Sequence, residues 1–171
     1  NAYVHAENIK GAGGLPVGSS GKAMLLLSGG IDSPVAGWMM AKRGVHIAAI
    51  HYVSPPYTSD RAQLKVEQLC EKLTDYCGGI AFYCVPFTEI QEAIKDNCPE
   101  EFFTIIMRRL MMEIAQRIAA DDGCLALITG ESVGQVASQT MAAIGCTDAV
   151  CRMPVFRPLI GMDKTEIIEI A

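Results

Sequence analysis

Mostly apolar runs alternate with segments of helical periodicity along this chain. The runs that suit strands buried on both faces of a parallel sheet are 23–27, 45–52, 80–85 and 125–128. The segments between them have apolar residues at helical spacing and predict helices over 34–43, 60–76, 87–95, 101–120 and 132–143. We also expect a fifth strand near 153–156, and a last helix after Asp163, where Glu166 resembles the second half of a capping box.

Strands that alternate with helices in this way predict an α/β fold, namely a three-layer doubly wound parallel sheet of about five strands with right-handed crossovers. Ligands of such sheets bind at the carboxyl ends of the strands, near the point where the strand order reverses. The loops that follow Leu27, Tyr52 and Ile128 should therefore share one rim of the sheet.

The composition is that of a globular domain, with 50% hydrophobic and 19% charged residues among 171. Residues 8–21 carry five glycines and one proline, so we interpret 1–21 as a tail and linker from a preceding region and 22–171 as the folded domain. The mean hydropathy of +0.26 is high for a free-standing domain. We therefore expect a piece of a larger protein, truncated inside its last helix, whose absent parts cover apolar surface.

Charge and cysteine content limit the binding partners and the cellular compartment that we expect. A net charge of −5 is unfavourable for a polyanion-binding surface, so this piece alone should bind nucleic acid weakly. No apolar run reaches the ~18 residues of a membrane helix, and the first residues lack the pattern of an export signal. The seven cysteines contain no Cys-x-x-Cys pair, and we interpret them as free thiols of a cytoplasmic protein.

The string Ser-Gly-Gly-Ile-Asp-Ser at residues 28–33 lies between the first strand and its helix and has the composition of an anion site. Its two glycines let the backbone approach an anion without Cβ atoms in the way. The helix directs its free N–H groups and its positive dipole end to the same place, and the serines add hydroxyl donors. Asp32 repels phosphate, so we expect it to hold Mg²⁺ or to fix the loop. The alternative is an ordinary turn capped by Asp32 or Ser33.

Two other phosphate motifs do not fit. A P-loop requires Gly-x-x-x-x-Gly-Lys-Ser/Thr after a strand, whereas Gly21 and Lys22 are followed by Ala23 and precede the strand. A Rossmann fingerprint requires Gly-x-Gly-x-x-Gly, which Gly29 and Gly30 do not supply. The loop therefore matches neither of these two motifs.

The loop resembles the PP-loop of the adenine-nucleotide α-hydrolase-like family, whose enzymes cleave ATP between its α and β phosphates, form an adenylated intermediate and release pyrophosphate. Further strings resemble one subfamily, the tRNA 4-thiouridine synthetases, also called thiamine-biosynthesis sulfurtransferases. These strings extend over nearly the whole chain from Gly11 onward and lie at 11–18, 25–37, 130–140 and 157–167.

The resemblance implies a nucleotide site, assigned position by position. The residues with an implied role in binding ATP are Leu26, Leu27, Ser28, Gly29, Gly30, Asp32, Ser33, His51, Tyr52, Arg108, Gly130 and Gln139. Those with an implied catalytic role are Ser28, Asp32 and Arg108, and Asp32 is also the candidate Mg²⁺ ligand. ATP and Mg²⁺ are the implied cofactors.

The resemblance implies one kind of contact with ATP for the strand ends and another for Arg108 of the predicted helix. Leu26 and Leu27 would meet the nucleotide through backbone groups, and His51 and Tyr52 would flank the adenine. Arg108 would neutralise phosphate charge. The structural alternatives are a half-buried strand residue for Tyr52 and a surface helix arginine for Arg108.

The later strings supply the remaining candidates. Gly130 would allow close approach of the nucleotide, and Gln139 would hydrogen-bond to it unless it is a helix-surface glutamine. Gln135 and Ser138 are secondary candidates. Lys164 could contact phosphate or RNA, or it could be a solvated helix lysine.

The reaction that the resemblance implies has two stages. ATP activates the C4 oxygen of a tRNA uridine as an adenylate, and a persulfide sulfur then displaces AMP to give 4-thiouridine; the same sulfur transfer also feeds thiamine thiazole synthesis. The implied partners are tRNA, held mainly by an absent N-terminal region with a THUMP domain, and a cysteine desulfurase as sulfur donor. A homodimer is a further candidate assembly. The family's catalytic cysteine is expected beyond residue 171, so none of the seven cysteines is assigned this role.

Two other functions stay open at this point. Another PP-loop enzyme could activate a small molecule, although it would lack the string at 134–140, and cluster-carrying PP-loop thiolases use a Cys-x-x-Cys pair that is missing here. A non-catalytic nucleotide-binding module of the same fold is the second alternative, and the intact loop argues against it.

Overall fold

One sheet of five parallel strands lies at the centre of the computed structural model, in the order β3-β2-β1-β4-β5. The structure describes residues 6, 7, 9, 11 and 13–171, so the rest of the predicted tail and linker lies outside the described residues. The strands are β1 (Lys22–Leu26), β2 (His46–Val53), β3 (Ala81–Pro86), β4 (Ala126–Ile128) and β5 (Val155–Phe156). The predicted parallel sheet of about five strands is confirmed.

Helices connect the strands and cover both faces of the sheet. They are α1 (Asp32–Ala41), α2 (Asp60–Cys77), α3 (Thr88–Asn97), α4 (Phe103–Asp121), α5 (Met141–Asp148) and α6 (Lys164–Ile170), with short 3-10 helices at Glu100–Phe102 and Ala137–Gln139. α1 packs against α2 and α6 on one face, and α4 packs against α3 and α5 on the other. Among the described residues, no helix combines the length and the apolar character needed to cross a bilayer.

The central strand β1 contributes to both layers of the core. Leu25 is buried on the α1 side and Met24 on the α4 side, and neither side chain is exposed to solvent. Successive residues of a strand point to opposite faces, and burying each such side chain contributes about 1.5–3 kcal/mol. This two-sided burial explains why the strand is a wholly apolar run.

The direction of the chain across the sheet reverses between β1 and β4. From β1 the chain moves outward through α1 to β2 and through α2 to β3, and it then returns through α3 and α4 to β4 on the other side of β1. In such sheets the crevice between the carboxyl ends of the two strands at the reversal is the ligand site. The loops after β1 and β4 flank that crevice.

The predicted helix over 132–143 is wrong. The chain instead turns at Gly134, whose φ of 77° lies in the left-handed region that interrupts a helix. α5 begins only after Thr140, whose hydroxyl accepts a hydrogen bond from the Ala143 amide at 3.2 Å. A threonine in front of Met141 is a helix-start pattern, so the sequence contained the correct boundary.

The remaining helix boundaries agree with the predictions within the usual uncertainty of helix ends. α1 begins at Asp32 rather than at Pro34, which places the end of the phosphate-type loop in the first turn of the helix. The predicted capping box at Asp163 and Glu166 is confirmed, with both reciprocal hydrogen bonds present.

The described end of the glycine-rich segment contacts the turn between α1 and β2. The Leu15 amide donates to the Lys42 carbonyl at 3.0 Å, and the Gly18 and Ser20 amides donate to the Gly44 carbonyl at 2.8 and 2.9 Å. These contacts direct the chain into β1.

Candidate functional site

The loop at residues 28–33, called the PP-loop below, closes on itself through the buried Ser33 side chain. The Ser28 amide donates to Ser33 Oγ at 2.9 Å, and the two hydroxyl oxygens lie 3.1 Å apart. Within the described residues no side chain caps the first turn of α1, because Ile31 occupies the capping position. The turn is therefore not the ordinary capped one, and the first amides of α1 are directed to the place where an anion would bind.

The two glycines of the PP-loop are not required by packing within the protein. A Cβ atom on Gly29 or Gly30 would meet its nearest atom at 3.8 or 3.7 Å, which is ordinary contact. What a Cβ would obstruct here is the approach of a ligand to the backbone. This geometry favours the anion-binding interpretation of both glycines.

Asp32 joins the PP-loop to two distant segments. Its Oδ1 accepts a hydrogen bond from Lys164 Nζ at 2.6 Å, and its Oδ2 accepts one from Gln135 Nε2 at 3.0 Å. Of the two expected roles, these contacts favour fixing the loop. Among the described residues no three His, Cys, Asp or Glu side chains group into a metal site, so a Mg²⁺ at Asp32 would depend on phosphate oxygens for its other ligands.

Gly130, at the end of β4, lies directly against the PP-loop backbone. A Cβ atom at this position would lie 2.7 Å from the Ser33 nitrogen and 2.8 Å from the Asp32 carbonyl carbon. These distances are shorter than real Cβ atoms show, and the atoms met are backbone. Gly130 thus allows the loops after β1 and β4 to touch. This contact is a second reason for a glycine at this position, besides the predicted close approach of a nucleotide.

His51 is held at the end of β2 by the backbone of the neighbouring strand. Its Nδ1 lies 2.9 Å from the Leu27 carbonyl, and the Leu27 amide donates to Ile50 at 2.9 Å. A carbonyl accepts only, so Nδ1 carries the proton and Nε2 of the neutral ring is an acceptor. Leu27 is buried on the α1 side of the sheet, whereas Leu26 is half-buried on the α4 side.

Tyr52 lies on the face opposite the PP-loop. Its hydroxyl donates to the Met111 carbonyl of α4 at 2.5 Å, and its ring meets Phe87 edge-on with centroids 5.3 Å apart. Burial raises the pKa of Tyr52. The structure therefore brings His51 to the PP-loop side but directs the Tyr52 side chain into the packing of α4.

Arg108 of α4 is fixed between the loop after β4 and the short 3-10 helix. Nη2 donates to Glu131 Oε1, and Nη1 donates to the Ser138 carbonyl at 2.6 Å. Burial lowers the pKa of the Arg108 guanidinium, and the nearby positive charge of Arg157 lowers it further. Arg108 is thus not the freely solvated surface arginine of the alternative interpretation.

Glu131 is the buried centre of a group of charges, called the Glu131 cluster below. Its Oε2 accepts hydrogen bonds from Thr129 Oγ1 at 2.9 Å and from Arg157 Nε at 2.7 Å. The Arg157 guanidinium also binds both carboxylate oxygens of Asp148, at 2.5 and 3.3 Å. With Arg108, this cluster ties α4, the ends of β4 and β5, and α5 together.

Three buried side-chain polar atoms in the described part of the chain have no hydrogen-bond partner, and all lie on predicted or secondary candidates. They are His51 Nε2, Gln135 Oε1 and Gln139 Oε1. Buried polar groups are nearly always paired, so such atoms call for an explanation. His51 and Gln135 contact Leu27 and Asp32, so at least two of these unpaired acceptors lie next to a loop of anion-binding type, which fits a ligand that presents both phosphates and hydrogen-bond donors.

Comparison with known proteins identifies the family of the chain that carries this site. The family model described as thiamine biosynthesis protein (ThiI) matches residues 18–171. This chain belongs to the ThiI family.

Relatives of this ThiI-family chain carry a common name. A probable tRNA sulfurtransferase of Lachnoclostridium phytofermentans is 61% identical over 170 residues, which cover 99% of this chain and 44% of the relative. A probable tRNA sulfurtransferase of Acetivibrio thermocellus is 61% identical over 169 residues, covering 99% of this chain and 43% of the relative. The chain thus spans less than half the length of these curated relatives.

A solved structure is similar to the ThiI-family chain in fold and in sequence. It is the crystal structure of a 4-thiouridine synthetase–RNA complex with bound ATP, and it is 49% identical to this chain with a TM-score of 0.89. The match covers 92% of this chain and 41% of that one. The fold expected of a PP-loop ATP pyrophosphatase is confirmed by this likeness.

Reasoning from sequence missed Glu131 and Arg157 in this ThiI-family chain. Both occur in the strings that carried the resemblance, and Glu131 directly follows Gly130. A charged residue next to a buried strand is the pattern that could have revealed it, because buried charges occur in proteins only when they are paired.

The seven cysteines are free thiols, as predicted. Burial raises the pKa of Cys77 and of Cys124 to about 11. Both are therefore protonated near neutral pH and unsuited to attack as thiolates.

Proposed function

We propose that this ThiI-family chain is the ATP-binding and uridine-activating domain of a tRNA sulfurtransferase that produces 4-thiouridine. The carrying observation is the PP-loop in contact with Gly130, with Arg108 fixed beside it through Glu131. The similar 4-thiouridine synthetase bound to RNA and ATP supports this choice, as do the relatives named tRNA sulfurtransferase.

Different residues of the crevice bind different parts of ATP in this proposal. The first amides of α1 and the Ser28 hydroxyl bind phosphate oxygens, and Arg108 offsets the charge that grows on the departing pyrophosphate. The backbone at Leu27 and the acceptor nitrogen of His51 lie where the adenosine would be held. Gln139 supplies a buried acceptor for a donor of the nucleotide.

The proposed reaction starts from ATP held by these groups. The C4 oxygen of a tRNA uridine attacks the α phosphorus and pyrophosphate leaves, so the uridine oxygen becomes part of a good leaving group. The terminal sulfur of a persulfide, supplied by a cysteine desulfurase, then displaces AMP at C4 and leaves the uridine joined to its carrier by an S–S bond. A thiol of the full-length protein attacks the carrier sulfur of that bond, so that 4-thiouridine is released and a disulfide is formed. The same sulfur delivery serves thiamine thiazole synthesis, in keeping with the family's description.

Mg²⁺ belongs to this proposal as a partner of the triphosphate. Magnesium in such sites is held by one or two carboxylates together with phosphate oxygens and water. Asp32 is the carboxylate at the PP-loop, and its bonds to Lys164 and Gln135 would have to open for direct coordination.

Titration calorimetry with ATP and Mg²⁺ tests the binding part of the proposal. Arg108→Ala should weaken ATP binding about tenfold or more, because a charge-assisted contact is lost. Arg117→Ala is the matched control, since Arg117 lies on the same helix with a side chain that is 74% exposed. An Arg108→Ala protein with unchanged ATP affinity would contradict the assigned role.

A chimera tests the reaction. In the chimera, this chain replaces the matched segment of the full-length Lachnoclostridium phytofermentans relative. The amount of 4-thiouridine is then measured in transcribed tRNA after addition of ATP, cysteine and a desulfurase. Thiolation should be lost with Asp32→Ala and kept with Asp75→Ala, whose carboxylate is exposed on α2. ATP binding without any thiolation would favour another PP-loop activity or a binding module.

The location and assembly of the full-length protein complete the proposal. We infer a cytoplasmic enzyme that meets tRNA mainly through its N-terminal region, and sedimentation of the full-length protein distinguishes a homodimer from a monomer.

A further inference from the structure

Glu131 occupies an unexpected position for an acidic side chain. It follows Gly130, which touches the PP-loop, and it is only 5% exposed. A carboxylate beside a crevice proposed for a polyphosphate repels that ligand, and a buried charge is tolerated only when it is paired. Its presence therefore requires a role that outweighs both costs.

The contacts of Glu131 identify what it holds. One carboxylate oxygen accepts from Arg108, and the other accepts from Arg157 and Thr129. Arg108 is in turn held by the Ser138 carbonyl, one residue before Gln139. Both Arg108 and the Gln139 segment thus depend on the orientation of a single carboxylate.

A second arginine shares the Glu131 carboxylate with the first. Because Arg157 shares the same carboxylate, Glu131 does not form an exclusive pair with Arg108. Arg108 uses two of its five N–H groups in the described contacts, so three donors remain for an anion. Arg157 is itself balanced by Asp148.

We propose that Glu131 is a positioning residue of the nucleotide site: it holds Arg108 in the orientation that meets the phosphates of ATP, and Arg157 fixes Glu131. This inference rests on the proposed function, because it assigns Glu131 a role only through the binding of ATP by Arg108.

A double-mutant cycle in ATP affinity tests the inference. Glu131→Gln keeps the side-chain size but turns an –NH₂ group towards an arginine donor, so it should weaken ATP binding about tenfold. In an Arg108→Ala background the same change should have almost no further effect, because the group that it positions is absent. If the role were purely structural, Glu131→Gln would weaken ATP binding by the same factor in the parent and in the Arg108→Ala background, whatever its effect on the melting temperature.

Two further variants keep the test decisive. Glu113→Gln, on α4 in an exposed pair with Arg117, should leave ATP affinity within about twofold of the parent. If Glu131→Gln fails to fold, as judged by circular dichroism, Arg157→Lys replaces it, since lysine keeps the charge but not the forked contact. It should then show the same dependence on Arg108.

The outcomes separate this inference from the proposed function. Full ATP binding by Glu131→Gln, or losses that multiply with Arg108→Ala, would overturn the positioning role and leave the proposed function intact. A parent protein that fails to bind ATP would overturn both.

Discussion

The PP-loop and the Glu131 cluster flank the same crevice but are built in opposite ways. The PP-loop is six consecutive residues whose anion-binding groups are mainly backbone amides, and its ion pair, Asp32 with Lys164, is partly exposed. The Glu131 cluster joins side chains from four separate segments, and the whole side chain of its central Glu131 is 7% exposed. One flank is defined by local chain geometry and the other by long-range contacts.

This difference predicts where the molecule tolerates change. The charges of an exposed ion pair are solvated in both the folded and the unfolded state, so the net contribution of the pair to stability is small. A buried carboxylate that loses its partners, or leaves them unpaired, incurs the full cost of desolvation. We therefore expect substitutions in the Glu131 cluster to lower stability more than substitutions in the PP-loop do, in addition to their effect on ATP binding through Arg108.

The largest effect is expected from removing the central carboxylate. Glu131→Ala leaves two arginines without their shared partner and should lower the free energy of unfolding by about 3–5 kcal/mol. Urea denaturation followed by circular dichroism measures it, with Glu113→Ala as the exposed control, expected to change by less than about 1 kcal/mol. Equal losses for the two variants would remove the distinction between the flanks.

The contact between the two flanks gives the next effect. Gly130→Ala places a Cβ atom against the backbone of Asp32 and Ser33, so it should cost about 1–3 kcal/mol of stability and weaken ATP binding by moving the PP-loop. Gly79→Ala is the control, because a Cβ there has no atom within 4 Å. Unchanged stability and affinity in Gly130→Ala would show that the flanks move independently.

Substitutions within the PP-loop should cause a smaller change in the free energy of unfolding. Ser33→Ala removes the buried hydroxyl that accepts from the Ser28 amide, and a hydrogen bond of this kind contributes about 1 kcal/mol. Ser28→Ala should cost less stability, since its side chain is exposed and its bond to the Gly30 amide is long, at 3.4 Å. Urea denaturation of both variants checks the order, and a larger loss for Ser28→Ala would reverse the assignment of the loop's internal support.

The two flanks also differ in how far sequence alone could predict them. The sheet and the PP-loop were accessible because apolar strand runs and the string at 28–33 are contiguous patterns. Glu131 and Arg157 were missed because their pairing depends on β4 and β5 being neighbours in space, which no local pattern encodes.

The incorrect helix over 132–143 combines a missed local signal, Thr140 in front of Met141, with the same dependence on long-range contacts. Its alanine and glutamine content suits a helix, but the segment is held by long-range bonds, such as that from Ser132 Oγ to the Met162 carbonyl at 2.6 Å. These contacts favour the turn at Gly134 over helical propensity, which is a weak preference that tertiary packing often overrides.

The smallest effect on stability is expected at the exposed ion pair of the PP-loop. Lys164 is 47% exposed and Asp32 21%, so Lys164→Gln should change the free energy of unfolding by less than about 1 kcal/mol. Lys95→Gln, on the solvent side of α3, is the control for loss of a lysine charge. The same Lys164 variant should bind ATP several-fold more weakly, because Lys164 can turn from Asp32 to a phosphate. A large loss of stability with unchanged affinity would mean that the pair is structural, and the expected difference in stability between the two flanks would then be contradicted.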